Sequence, residues 1–308
     1  MRAFRVIIFV IAAFTTVPAK GAKEQTPGLE LKVLSFNIRY GTAADGPNHW
    51  SKRSELVYQV IRQADADFVG LQEALDFQID QIINNVTGYD YVGVGRHGGR
   101  RGEYSAILYR SKRFKVDESD TFWLSNKPEK PSRHWGNSVT RICTWARFIE
   151  KKTCQAVYLY NTHLDHQSQP SREKSVRLII DRIANRLYAE PFILTGDFNA
   201  GESNPAIRFL KGKPIRIGKK KDKENTNSTN PLPLVDTFRV LHTKEKKVGT
   251  FNGFKGNADG PKIDYIFAEP ETKVQAAEIV RTHKDNRYPS DHFPVTAKMC
   301  IYTRPKTK

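Results

Sequence analysis

The stretch Phe192–Ala200, FILTGDFNA, runs an apolar segment directly into a carboxylate, Asp197, and an amide, Asn199. Burying an unpaired carboxylate is costly, so a strand that ends this way must deliver its charge to solvent, a partner or a ligand. The pattern recurs. Asn37 ends LKVLSFN, Glu73 ends DFVGLQE, His163 closes CQAVYLYNTH, Asp264 lies in KIDYIF, and Asp291 with His292 adjoins FPVTAKMC. A turn that begins where the core stops explains any single case. The repetition predicts a shared cluster of carboxylates, amides and two histidines at one sheet edge. Strand residues two apart face the same way, which predicts that Asp197 and Asn199 project together.

The segments between these strands read as helices. Ser51 opens one with Leu56, Val57, Val60 and Ile61 at helical spacing. A second carries Leu75, Ile79, Ile82 and Ile83, and a third spans Ser171 to Leu187 with Val176, Ile179, Ile180, Ile183 and Leu187 inward. YDYVGVG and SAILYR predict strands around a basic, glycine-rich loop, and TRICTWARFI with CQAVYLYNTHL predicts a long hairpin. Residues 211–233 are basic and polar and read as a surface insertion. No internal linker divides residues 31–303, so the expectation is one domain of mixed α/β type, with a linker at 20–30 and a basic tail at 304–308.

Arg2 and Arg5 precede an apolar run from Val6 to Phe14, followed by Val17 and Ala19 at small-residue positions. This is the pattern of a signal peptide, residues 1–19, with cleavage after Ala19 and an exported product. The run is shorter than the roughly 20 residues that span a bilayer. Cys143, Cys154 and Cys300 are odd in number and form no CxxC. That argues against zinc or redox motifs. Export permits one disulfide, apolar surroundings favour buried thiols, and no pairing is chosen.

The formal charge is +17, and loss of Arg2 and Arg5 with the leader leaves +15. Basic runs lie at Arg96–Arg101, Lys127–Arg133, Lys219–Lys223 and Lys244–Lys247. Such a field attracts polyanions and anionic surfaces, though any single run reads more readily as a solvated loop.

Oxygen-rich ligands with few imidazoles and no thiolates suit a hard divalent cation, Mg²⁺ or Mn²⁺, over zinc. Together with histidines and amide donors, such a cation fits attack of water on a phosphoester.

The motifs SFNIRYG, GLQEA, NTHLDH, TGDFNA, KIDYIF and SDHFPV, in this order over about residues 31–303, resemble the endonuclease/exonuclease/phosphatase superfamily. That group includes pancreatic deoxyribonuclease, abasic-site endonucleases, neutral sphingomyelinases, inositol-polyphosphate 5-phosphatases and deadenylases. GDFN with SDH is the specific part; NIR or LQE alone is weak. DGPNHW and GTFNGF look like an exported bacterial branch. The resemblance implies a four-layer α/β sandwich, two mixed β-sheets packed face to face with flanking helices. It implies Glu73 as principal metal ligand with Asn37 beside it, and Asp291 supporting a metal. It implies Asp197 as the group that orients or deprotonates water, Asn199 on the scissile phosphate, and His163 as donor or general acid. Asp264 is implied to pair with His292 and keep it charged.

Arg141 and Arg53 are further candidates for contacting substrate. Trp50, Trp123 and Trp145 read as core or rim packing, Asp165 and His166 as a polar rim, and His49, His134, His242 and His283 as surface residues. The expected activity is metal-dependent phosphoester hydrolysis, with nuclease or phosphodiesterase placed first because basic loops suit nucleic acid. Phosphatase or phospholipase C-like action on inositol phosphates or lipid headgroups stands second. A non-catalytic polyanion-binding protein is the alternative of another class. No protein partner is implied, and the expectation is a monomer.

Overall fold

The computed structural model describes residues 28–216 and 227–302. The leader, the basic tail and the run Lys219–Lys223 lie outside the described residues.

Two six-stranded sheets face each other. In the first, β1 (Leu29–Asn37) runs parallel to β2 (Phe68–Gln72) at the centre. Flanking them are β3 (Tyr89–Val92), β4 (Ile107–Arg110), β13 (Lys273–Ile279) and β14 (Val295–Ile301), in the order β13-β14-β1-β2-β4-β3. In the second, β7 (Ala156–His163) runs parallel to β8 (Phe192–Asp197). Around them lie β5 (Phe114–Trp123), β6 (Ile142–Glu150), β11 (Val235–Asp236) and β12 (Asp264–Ala268), in the order β11-β12-β8-β7-β6-β5. All other pairings are antiparallel, so both sheets are mixed as expected.

The central strands are apolar without alternation because both faces are covered. Every residue of β2, β7 and β8 is buried, whereas β1 alternates at its start and becomes fully buried from Val33 onward. Between the sheets, Leu31, Val33, Phe68 and Ile107 pack against Phe148, Val157, Leu159, Ile193 and Ile266. Helices α1 (Trp50–Ala64) and α2 (Asp76–Asn85) cover the first sheet's outer face through Val57, Val60, Ile61, Ile79 and Ile82. Helices α3 (Gln169–Ala184) and α4 (Pro205–Leu210) cover the second through Val176, Ile179, Ile180, Ile183 and Ile207. Each such side chain contributes ~1.5–3 kcal/mol when fully buried. The result is the four-layer sandwich.

A buried polar seam ties the sheets beneath one edge. Asn161 Nδ2 donates to the carbonyls of Leu71 and Ala106, while its Oδ1 accepts from Gln72 Nε2 at 2.7 Å and Thr195 Oγ1 at 3.0 Å. Gly70 permits this approach: a Cβ there would sit 2.5 Å from Thr195 Oγ1 and 2.8 Å from Asn161 Oδ1.

Several boundaries differ from the sequence expectation. Strand β1 begins at Leu29, which pairs with Ile301, so the linker ends earlier. Helix α1 begins at Trp50, and His49 caps it by accepting from the Ser51 amide. Helix α3 begins at Gln169, because Ser168 Oγ accepts from the Ser171 amide. It ends at Ala184, leaving Leu187 exposed rather than inward. The 211–233 segment contributes a short ribbon of β9 (Ile215–Arg216) and β10 (Asn227–Ser228). Helix α5 (Thr237–Leu241) sits beside it in sequence. His242, just beyond α5, stacks on Phe238 and contacts the Ala277 carbonyl through Nε2 at 2.7 Å, so it is part of the packing. Cys143 and Cys300 are buried thiols, whereas Cys154 is exposed in the hairpin turn rather than in an apolar strand; all three are free. Among the described residues no helix is long and apolar enough to cross a membrane.

Candidate active site

The strand ends meet at one edge because of strand direction. The parallel pairs β1/β2 and β7/β8 bring Asn37, Glu73, His163 and Asp197 there with their C-terminal ends. Asp264 and the Asp291–His292 pair arrive differently from the expectation: Asp264 starts β12, and Asp291 and His292 precede β14. Both strands are antiparallel to their neighbours, so their starts lie at the same edge. Across the second sheet, His163, Asp197 and Asp264 are direct register partners, and opposed side chains share a face.

Local geometry fixes each group. Gly196 lets β8 press against β7 just before Asp197; a Cβ would lie 2.3 Å from the Thr162 carbonyl. Asn199 reaches the site through a left-handed turn (φ +46°) rather than strand alternation, and its amide N–H donates to Asp197 Oδ1 at 2.9 Å. Glu73 is also left-handed (φ +59°), and the Tyr40 amide donates to its Oε2 at 3.1 Å. Asn37 Nδ2 is the hub, donating to Asp197 Oδ2 at 2.9 Å and Glu73 Oε1 at 3.2 Å. Ser290 Oγ donates to the Asn37 carbonyl and links the last motif to the first. Behind Asp264, the buried Lys262 ammonium donates to its carbonyl at 3.2 Å and pairs with Asp236 at 3.0 Å.

The two histidines are opposites. His292 Nδ1 lies 2.9 Å from Asp264 Oδ2, and its Nε2 is 3.7 Å from Asp197 Oδ2. Burial opposes a charge on this ring, but the Asp264 and Asp197 carboxylates outweigh it and hold it well above the usual imidazole range. His163 is held well below that range by burial and then by the Arg141 charge. Its Nε2 faces Asn199 Nδ2 at 3.0 Å, and the same amide donates to the Leu164 carbonyl, which sets Nε2 as acceptor. The 3.4 Å approach of His163 to Asp197 is therefore a contact of a neutral ring. Burial, with Asp264 beside it, pushes the Asp197 carboxyl up to about 7. Burial also pushes Asp291 up, with Glu73 adding to the effect.

These groups line a cavity of about 890 Å³ together with Arg39, Tyr40, Arg96, Glu103, Arg141, His166 and Phe251. Glu73, His163, Asp197, Asn199, Asp291 and His292 face it, while Asn37 and Asp264 are fully buried behind. Arg141 reaches the cavity, buried, with Nη2 3.1 Å from His166 Nδ1. Arg53 does not, which corrects its assignment to substrate. It is 1% exposed and donates only to main-chain carbonyls: Ile38 at 2.7 Å, Pro289 at 2.8 Å, Asn48 at 2.9 Å and Arg39 at 3.0 Å. Trp50 and Trp123 are buried, and neither they nor Trp145 lines the cavity. Asp165 is fully buried and organises its loop by accepting from Gln167 and Ser168 amides.

Sequence reasoning missed Arg39, Glu103 and Phe251, and met Arg96 only as part of a charge run. Arg39 forms a two-pronged pair with Asp45 and lies 4.0 Å from Glu73 and 3.9 Å from Asp291. Its place inside SFNIRYG was the available signal.

Two acidic groupings could hold a cation. One ligand atom each from Asp197, Asp264 and His292 lies within 4.8 Å of the others, but an imidazolium shared between two carboxylates has no free lone pair to give. Glu73 and Asp291, with Asn37 adjacent, offer oxygen donors only and face the cavity; this set fits a hard divalent ion.

A model of the Endonuclease/Exonuclease/phosphatase family matches residues 34–292. The chain belongs to this endonuclease/exonuclease/phosphatase family. A solved family member from Bacteroides thetaiotaomicron is 30% identical, with a TM-score of 0.76, covering 90% of this chain and 99% of that one. A mannosyl-6-phosphatase of the same species is 31% identical at a TM-score of 0.74, covering 87% and 99%. Carbon catabolite repressor protein 4 homolog 4 of Arabidopsis thaliana is 23% identical over 89% of this chain and 78% of its own length. Members of the endonuclease/exonuclease/phosphatase family hydrolyse phosphoesters, and this chain is an enzyme of that class.

Proposed function

We propose that this protein is an exported phosphoester hydrolase that depends on a divalent cation, Mg²⁺ or Mn²⁺. The observation that carries the reading is the Asp197 carboxylate, set between the His292 imidazolium and the Asn199 amide at the cavity floor. A base whose pKa is pushed up to about 7 is matched to accepting a proton from water at neutral pH. Glu73, Asp291 and Asn37 would hold the cation, which when bound supplies charge stabilisation to the phosphoryl oxygens.

The protein's own groups do the rest. Asp264 fixes the orientation of the His292 imidazolium and keeps it charged, so that Nε2–H points at developing negative charge. Asn199 turns its side-chain amide to phosphate, freeing His163 Nε2; the neutral ring, in the tautomer with its hydrogen on Nε2, donates a hydrogen bond to a phosphoryl oxygen and keeps its proton, while water protonates the leaving oxygen. Arg141 adds fixed positive charge at the wall. Export is supported by the leader pattern in residues 1–19.

The test is hydrolysis of p-nitrophenyl phosphate and its bis-aryl diester. Turnover with Mg²⁺ or Mn²⁺, abolished by EDTA and restored by excess cation, supports the reading. Turnover that is indifferent to EDTA sinks its metal component.

A further inference from the structure

We propose that the cavity around the catalytic groups also carries a leaving-group subsite for a neutral, polyhydroxylated ring, built from its lining residues Arg96, Glu103, Arg141 and Phe251. This rests on the phosphoester reading and names the substrate class that the same cavity selects: the phosphate ester of a sugar-like polyol, in preference to a polyanion.

The cavity is of the size that encloses a small molecule, ~300–1,000 Å³, and these residues line it together with the catalytic groups. Arg96 Nη2 and Glu103 Oε1 lie 2.7 Å apart, with side chains only 17% and 16% exposed. Arg96 Nε and Arg141 Nε are buried without a hydrogen-bond partner, and Arg141 as a whole is 5% exposed. Arg141 Nε lies 3.9 Å from the buried Asp165 Oδ2, so these inner nitrogens serve the protein, and the subsite rests on the side chains of Arg96, Glu103 and Arg141 that line the cavity.

The subsite presents donors and an acceptor side by side. Guanidinium groups only donate, and a carboxylate only accepts. A hydroxyl does both, so adjacent hydroxyls of a ring can satisfy Arg96 and Glu103 together. A second phosphate or a nucleic-acid backbone would pair with the arginines but meet Glu103 as a like charge. The chain's overall positive charge thus does not describe the cavity.

The pair is held rigidly. In the glycine-rich loop, the Arg96 amide donates to the Glu103 carbonyl, the Gly95 amide to Gly99, and the His97 amide to Arg101. The Trp123 indole N–H donates to the Arg96 carbonyl at 2.8 Å. A preorganised pair spends little of its binding energy on ordering.

Phe251 supplies the apolar counterpart. It lines the cavity yet is 51% exposed, with its ring 5.3 Å from His292 in an edge-on arrangement. An exposed phenyl ring next to the catalytic imidazolium gives the carbon–hydrogen face of a ring polyol a surface to lie on.

The test compares kcat/KM for a hexose 6-phosphate, an inositol polyphosphate, duplex and single-stranded DNA, and p-nitrophenyl phosphate. Wild-type protein, Glu103→Gln and Phe251→Ala are used, each checked by circular dichroism. The wild type should favour the hexose phosphate, and Glu103→Gln should lower the ratio of hexose phosphate to p-nitrophenyl phosphate by about tenfold or more, since a site built for hydroxyls discriminates strongly. Phe251→Ala should raise KM for the hexose phosphate more than it lowers kcat. Preference for DNA or for the inositol polyphosphate overturns the subsite, as does an unchanged ratio in both variants. Absence of turnover on every ester, p-nitrophenyl phosphate included, overturns the underlying hydrolase reading instead.

Discussion

His292 Nδ1 sits 2.9 Å from Asp264 Oδ2, and the two residues open the antiparallel strand regions that bring them to one edge from different sheets. The bond is buried on both sides, at 5% and 0% exposure. It fixes which nitrogen faces the cavity and keeps that ring charged.

Breaking this pair should cost catalysis more than stability. Asp264→Asn and His292→Ala are each expected to lower kcat by about 10²–10⁴, the range for a positioned acid–base or charge-stabilising group. Steady-state kinetics beside a thermal melt check this. A loss of less than fivefold in both variants would remove the dyad from the mechanism.

The two histidines predict opposite limbs in the pH dependence of stability. An unfolded imidazole titrates near about 6.5. His292, raised in the fold, keeps its proton where the unfolded chain has lost it, so its stabilisation is present below that pH and fades as pH rises. His163, lowered in the fold, stays neutral where the unfolded chain is protonated, so its contribution is present above that pH and fades as pH falls. Urea unfolding in EDTA across about pH 5–9 should show His163→Gln flattening the acid limb and His292→Gln the alkaline limb. Both variants shifting the same limb would contradict the assignment.

Arg53 predicts a structural phenotype. Its guanidinium holds the carbonyls of Ile38, Arg39, Asn48 and Pro289, and so joins the loop after Asn37 to the segment before Asp291. Arg53→Met should destabilise the fold by about 1–3 kcal/mol or more, the cost of leaving buried carbonyls without their donor. Denaturant midpoints measure it. Unchanged stability with a raised KM would restore the substrate-binding role.

Gly70 predicts that the polar seam cannot absorb a methyl group. A Cβ at this position would stand within 2.8 Å of both Thr195 Oγ1 and Asn161 Oδ1, so Gly70→Ala should cost about 1–3 kcal/mol. Chemical unfolding at fixed pH gives the value, and a neutral or stabilising result would show the sheets parting at no cost.

The strand ends were legible in the sequence because a charge at the end of an apolar run is a strong local signal. The central strands were legible for the same reason: β2, β7 and β8 are buried throughout and carry long apolar runs. Two edge strands were not. β5, with Asp117, Glu118 and Asp120, and β13, mostly exposed, have no apolar run to read. Arg53 misled because buried and exposed arginines look alike in sequence, and four main-chain acceptors leave no trace there. Glu103 and Phe251 were missed because they lie outside the regular strands, where no periodicity marks a side chain as facing a site; Glu103 meets Arg96 across a loop and Phe251 meets His292 from a distant segment.

The most direct measurement is the turnover of bis-p-nitrophenyl phosphate by Asp197→Asn with Mg²⁺ present. The substitution keeps the shape of a side chain that touches Asn37, Asn199, His163 and His292, and removes its basicity. Loss of kcat by about two decades or more with a melting temperature at or above wild type is the predicted result. Near-wild-type turnover by a folded Asp197→Asn protein would contradict the account.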